Sequence, residues 1–165
     1  MIPEIITAQD SLLYVNTTDA PIVRDALVPG VHVQPLFLDT QQGIWVVRVT
    51  MDAGITLPTH FHTGQVHVWT TAGSWNYLEH ANEPQTAGCY LYEPGGSIHT
   101  FHTEQGTEFT TMVIGSNVNF DQDGNFVNIM DAGWIEEMIN QMSKEQGLTN
   151  VKYVKGTGAR IQTVD

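Results

Sequence analysis

Beyond Gly30 the apolar positions of the chain gather in short runs rich in β-branched and aromatic residues: VHVQPLFLD (31–39), IWVVRVTM (44–51), VHVWTTAG (66–73), SWNYLEH (74–80), GCYLYEPGG (88–96) and EFTTMVIGSN (108–117). Polar, glycine-containing segments such as TQQG, MDAG, ANEPQTAG and TEQGTE part them at fairly even intervals. Runs of this kind between turns of this kind read as strands. Their even spacing predicts an all-β antiparallel sandwich or barrel rather than alternating strands and helices. NFDQDGNFVN (119–128) reads as a hairpin, because Asp-Gly supplies the positive φ of a tight turn. A calcium loop would need a further acidic ligand and a bidentate glutamate that the segment lacks.

Near the C-terminus the period changes. Ile135, Met138, Ile139 and Met142 recur at i, i+3, i+4 and i+7, which predicts a helix over about 131–146. Asp131 can cap its start and Gly147 can end it. Trp134 and the methionines form a packing stripe, expected to dock on the barrel or on a second subunit. The first 30 residues read as irregular, punctuated by Pro21, Pro29 and Gly30, and TTDAPIVRDALVPG (17–30) admits one short helical turn. With no repeat, linker or low-complexity segment, the expectation is one domain over 1–165, its core at about 31–120.

Composition removes some partners. Eighteen acidic against six basic residues give a formal charge of −12, which repels phosphate backbones and anionic lipid, so neither nucleic acid nor a membrane surface is expected. No apolar run approaches the roughly 20 residues of a membrane helix. MIPEIITAQD has neither a basic nor an apolar signal region, so no secretory leader is expected. Cys89 is the one cysteine, which rules out an internal disulfide and fits a reducing, cytoplasmic setting. With no basic neighbour to lower its pKa, it reads as an inert, buried strand residue.

The chemistry concentrates in GITLPTHFHTGQVHVWTTAG (54–73). Residues two apart on a strand point the same way, about 6.6 Å apart, so His60 and His62 can direct both imidazoles at one ion. That pair alone is weak. A second segment, GCYLYEPGGSIHTFHT (88–103), strengthens it, because its Pro94–Gly96 turn can swing His99 across the barrel to face the pair.

These two segments resemble the signature motifs of the cupin superfamily. Gly54, His60, His62 and Gly73 match the first motif; Gly88, Pro94, Gly96 and His99 match the second, with Thr103 where that motif has asparagine. The resemblance implies a jelly-roll barrel holding a metal on His60, His62 and His99. The first motif's glutamate is missing. Its register falls on Val66 or His67: strict alternation turns Val66 inward, whereas a bulge at Gly64 would turn His67 in as a possible fourth ligand. Either way the expected ligands are neutral imidazoles, leaving the ion's full charge to favour an anionic, chelating substrate such as an enolate. Three histidines leave open positions for substrate and oxygen and suit iron(II) best, with nickel, zinc, manganese or copper able to use the same ligands.

GSWNYLEH and YEPGGSIHT are further similar to the 2,4'-dihydroxyacetophenone dioxygenase-like cupins. That likeness implies a non-haem iron dioxygenase cleaving a carbon–carbon bond beside a carbonyl, with a small aromatic hydroxyketone or diketone and O2 as substrates. Metal-holding sensory cupins, isomerases and decarboxylases are the other classes the superfamily implies, and a homodimer is expected by the same resemblance. Trp75 and Tyr77 share one strand face; Trp75 reads as packing, while the Tyr77 hydroxyl can orient a substrate oxygen. Glu93 is either a solvated turn residue or, if buried, a general base toward a hydroxyketone. His102 reads as a surface or supporting residue, Glu79 and His80 as solvated, and His32 carries no assignment.

Overall fold

Period-2 burial marks the strands at the centre of the molecule. Val47, Val49 and Met51 point inward from one, and Phe109, Thr111 and Val113 from its neighbour, while intervening side chains face out. The computed structural model describes residues 12–164. In chain order its strands are β1 (Val31–Asp39), β2 (Ile44–Met51), β3 (Ile55–Thr56), β4 (Thr59–His62), β5 (Val66–Tyr77), β6 (Gln85–Thr86), β7 (Tyr90–Glu93), β8 (Ile98–His99), β9 (Phe101–Thr103), β10 (Thr107–Ile114), β11 (Asn117–Phe120), β12 (Phe126–Met130), β13 (Val151–Lys155) and β14 (Arg160–Val164). Helix α1 (Ala132–Glu145) separates β12 from β13. The larger sheet runs β14-β13-β1-β2-β10-β5-β9-β3, with β6 and β7 also paired to β5; the smaller runs β12-β11-β4-β8. Inward side chains of β2, β5 and β10 in one sheet and β4, β11 and β12 in the other enclose a common cavity. The all-β jelly-roll expectation holds.

The runs 66–73 and 74–80 are one strand, β5, followed by a 3-10 turn over Leu78–His80. Gly73, at φ 67°, lets β5 continue past β10, because a Cβ there would lie 2.1 Å from the Gly106 carbonyl oxygen. The hairpin at 119–128 forms as β11 and β12, with Gly124 at φ 80°. Helix α1 begins where expected: the Asp131 carboxylate accepts the Trp134 backbone N–H at 2.8 Å, and Gly147 at φ 62° follows the end. Its Ile135 and Ile139 are fully buried, and it docks on the barrel against β1 and β12.

One local expectation holds and two change. The Ala20 N–H donates to the Asn16 carbonyl at 3.0 Å and closes one helical turn, after which residues up to 30 contain turns and a single bridge, Val23 to Val33. Asp25 takes a left-handed φ of 51° and its carboxylate accepts the Gly30 N–H, a bracing incompatible with a helix through the segment. Cys89 is half-buried in the turn ahead of β7, outside any strand, its Sγ 3.7 Å from the Thr86 hydroxyl. Beyond the helix, where no strand was expected, β13 pairs parallel to β1 through Phe37–Val154 and Leu38–Lys155 and carries β14 at its other edge. The leader expectation for MIPEIITAQD falls outside the described residues. No helix among the described residues is long and apolar enough to cross a membrane.

Candidate metal centre

Strand alternation turns both His60 and His62 inward from β4, and both are buried. Gly96, at φ 93°, lets the chain reverse into β8, which pairs antiparallel with β4 and sets His99 directly opposite His60. His99 therefore arrives from the neighbouring strand of the same sheet, and not across the barrel. One ring nitrogen from each of the three lies within 4.8 Å of the others, and His62 Nε2 is 2.9 Å from His99 Nε2.

Contacts on the far side of the rings decide which nitrogens are free. His60 Nδ1 sits 3.1 Å from the Pro58 carbonyl oxygen, and His62 Nδ1 sits 2.8 Å from Asn117 Oδ1. An acceptor oxygen there keeps the proton on Nδ1 and leaves the Nε2 lone pair for a metal. Burial, helped by the charge of neighbouring His62, lowers the His60 pKa to about 4, so its ring is neutral at neutral pH. Neutral imidazole is the ligating form.

Tyr77 and Glu93 complete this wall. The Tyr77 ring, from β5, stacks on His99 with centroids 3.6 Å apart, and its hydroxyl donates to Glu93 Oε1. Burial and the nearby Glu93 charge push the phenol well above its usual range, so Tyr77 stays a hydrogen-bond donor. Glu93, at the end of β7, is 4% exposed, which discards the solvated-turn alternative. Its Oε2 lies 2.8 Å from His62 Nε2 and 3.3 Å from His99 Nε2, yet has no aligned hydrogen-bond partner. Burial alone would raise this carboxyl; the two histidine rings and the Tyr77 hydroxyl outweigh it and hold the pKa below the usual carboxylate range. The three candidate ligands are imidazoles, as expected, and the carboxylate of Glu93 faces them.

The ambiguity over the first motif resolves toward alternation. Val66 is inward and 2% exposed; His67 faces out, its Nδ1 2.7 Å from the Tyr90 hydroxyl, and takes no part in the cluster. No bulge is present at Gly64, whose missing side chain instead permits close approach: a Cβ would stand 2.0 Å from the Ile114 carbonyl oxygen. Trp75 packs in the core and donates its indole N–H to Thr70. His102 lies outside the cluster against the Thr56 hydroxyl, and His80 is exposed. Glu79 is exposed, as expected, and accepts both the backbone N–H and the hydroxyl of Thr100, the residue beside His99. Asn117, the partner of His62, is a supporting residue that sequence reasoning did not find. It meets His62 through the register of β11 on β4, which nothing local to either segment announces.

His60, His62, Tyr77 and Glu93 border a cavity of about 270 Å3 whose other walls are mainly apolar, including Val49, Val68, Phe101 and Phe109, while His99 lines a second pocket on the other side of Tyr77 and Glu93. Among the described residues no lysine or arginine lines the cavity. Imidazole nitrogens with one carboxylate form a donor set suited to divalent transition metals. A buried three-histidine group of this geometry could bind such an ion.

A model of the ChrR cupin-like domain family matches residues 10–118. Among solved structures, a protein of unknown function with a cupin-like fold from Ralstonia eutropha JMP134 is 44% identical, with 92% of this chain and 96% of that one covered and a TM-score of 0.86. An RmlC-like cupin protein from the same organism is 26% identical over 85% of this chain and 90% of its own, with a TM-score of 0.75. An acetylacetone dioxygenase from Acinetobacter johnsonii, 18% identical over 83% of this chain and 97% of its own, shares the fold at a TM-score of 0.69. No curated protein matches.

Proposed function

The chain belongs to the ChrR cupin-like domain family, and from that premise we propose that it is a mononuclear non-haem iron dioxygenase acting on a small, uncharged, carbonyl-bearing substrate. The observation that carries the reading is the convergence of buried His60, His62 and His99, of which His60 and His62 line a small apolar cavity. His60, His62 and His99 would hold iron(II); nickel, zinc, manganese and copper suit the same donors. Bound iron supplies Lewis acidity toward two substrate oxygens and a site at which O2 can be reduced.

The remaining roles belong to the chain. The cavity is smaller than the roughly 300 Å3 at the low end of ligand pockets, which suits a molecule of one ring and a short side chain. Its apolar walls favour an aryl or alkyl group, and the lack of lysine or arginine selects a ligand that is neutral in solution. Glu93, ionised and beside the triad, accepts the proton released when a hydroxyketone or β-diketone chelates. Tyr77, held as a phenol, donates to the other carboxylate oxygen and keeps Glu93 aimed at the site. A hydroxyketone and one O2 together hold the atoms of two carboxylic acids, so no other reductant or oxidant is needed. The acetylacetone dioxygenase of the same fold supports a diketone as one substrate type.

The test is anaerobic reconstitution with iron(II), then O2 uptake with a panel of hydroxyacetophenones and β-diketones. Uptake matched by acid formation is the expected result. Iron-loaded protein that consumes no O2 across the panel rejects the assignment.

A further inference from the structure

We propose that Glu93 is itself a metal ligand, its Oε2 filling a fourth position on the ion, so that the carboxylate of this site is delivered by β7 instead of β5. The inference rests on the metal-centre reading above and adds a residue to it.

Distances come first. An ion that holds nitrogen and oxygen donors at about 2.1 Å places two donors at right angles about 3.0 Å apart, and at a tetrahedral angle about 3.4 Å apart. Glu93 Oε2 lies 2.8 Å from His62 Nε2 and 3.3 Å from His99 Nε2, and those two nitrogens are 2.9 Å apart. The three atoms thus form one triangular face of a coordination polyhedron. With its Nδ1–H directed at Asn117, a neutral His62 ring turns an Nε2 lone pair toward Glu93 Oε2 at 2.8 Å, and a cation between those two atoms accounts for the spacing.

Burial makes the same demand. Glu93 Oε2 is a buried anionic oxygen with no hydrogen-bond partner. Leaving a buried anionic oxygen unpaired is unfavourable, more so than leaving a neutral one. The other oxygen is satisfied by Tyr77. One oxygen held from outside and one directed at the donor cluster is the arrangement of a monodentate carboxylate ligand with its supporting partner.

Register explains why a carboxylate arrives from this strand. In the antiparallel pair of β5 and β7, Val66 stands directly opposite Glu93. Side chains at opposed positions share one face, with Cβ atoms about 4.5–5.5 Å apart. Val66 is the inward residue at the register where the resembled motif carries glutamate. Moving the carboxylate one strand sideways keeps it on the same cavity wall and within reach of the same ion. The valine at 66 and the buried glutamate at 93 are two halves of one exchange.

The exchange halves the net charge of the loaded centre, from +2 with three imidazoles to +1. As a ligand Glu93 stays ionised, which replaces the proton-accepting role given to it above, and a substrate that chelates as a monoanion then yields a neutral assembly, as suits a cavity without other charged side chains.

The test uses the full chain, stripped of metal, titrated with cobalt(II) and zinc(II) against a chromophoric chelator, with the visible bands of cobalt as a second readout. Glu93→Gln keeps the shape of the side chain and its contact with Tyr77. It is expected to bind roughly 100-fold more weakly, at the upper end of what losing even an outer partner costs, and to shift the cobalt bands. Tyr77→Phe, which spares Oε2, should leave those bands in place. The double variant Val66→Glu/Glu93→Val should recover affinity by returning the carboxylate to β5. A folded Glu93→Gln protein with wild-type affinity and unshifted bands overturns the proposal while leaving the three-histidine centre standing. Wild-type protein that binds neither cobalt nor zinc removes the metal reading itself, and this proposal with it.

Discussion

Asn117 offers the sharpest test of how the site is held together. Its Oδ1 accepts from His62 Nδ1 at 2.8 Å, and both residues are buried, Asn117 at 7% exposure and His62 at 3%. Asn117→Ala removes the fixed acceptor and frees the His62 ring to change tautomer and to rotate away from the cluster. Partners of this kind are worth about 10- to 100-fold in metal affinity, or about 1.4–2.7 kcal/mol, and full burial places this one toward the upper end. In the metal-free protein the same change strands the His62 N–H, at a cost of about 1–3 kcal/mol in stability. Asn117→Asp should act in the opposite direction on metal affinity, because a carboxylate holds the same tautomer and makes the ring more basic. Competition with a chromophoric chelator gives both affinities, and thermal melts of the metal-free forms give the stabilities. Unchanged affinity in a folded Asn117→Ala protein, or weaker binding in Asn117→Asp, refutes the claim that this contact sets the ligating nitrogen.

Two further predictions concern the scaffold. Glu136 joins helix α1 to β13 by accepting from Lys155 Nζ at 2.6 Å and from the Tyr153 hydroxyl. Burial would raise its pKa, but the bonds from Lys155 and Tyr153 outweigh it and the net shift is downward. A carboxyl whose folded pKa lies below its unfolded value stabilises the protein above that unfolded value and loses the contribution as pH falls through the folded one. Glu136→Gln should therefore melt below wild type at pH 7, with the two curves converging as the pH drops below the usual glutamate range; a gap independent of pH counts against the ion pair. Gly64→Ala drives a Cβ to 2.0 Å from the Ile114 carbonyl oxygen and should cost about 3 kcal/mol or more. Gly88→Ala meets open space and pays only for its φ of 92°, about 1–2 kcal/mol, so calorimetry should rank the two clearly.

Much of this molecule was legible because its signals are local. The runs at 31–39 and 44–51 coincide with β1 and β2, and the i, i+3, i+4, i+7 stripe from Ile135 marks α1 between its expected caps. The three histidines could be chosen from spacing alone, since alternation on β4 and one glycine turn into β8 bring them together. What stayed hidden depends on pairing between distant segments. VKYVK carries two lysines and pairs with a strand more than a hundred residues earlier, so β13 left no mark that its own composition could reveal. Glu93 is buried because β7 lies against β5 in one register; a shift of one residue would turn the carboxylate outward. Asn117 reaches His62 for the same kind of reason, through β11 on β4. His67, beside the matched motif, was ambiguous because the parity of β5 relative to β4 depends on the link at 63–65, and the burial of Val66 settles it.

The account stands or falls on where an ion sits. Crystals of metal-stripped protein soaked in iron(II) or zinc(II) and measured at the metal absorption edge should show one anomalous peak about 2.1 Å from the Nε2 atoms of His60, His62 and His99. A peak elsewhere, or three rings that keep their positions at full soak with no density between them, contradicts it.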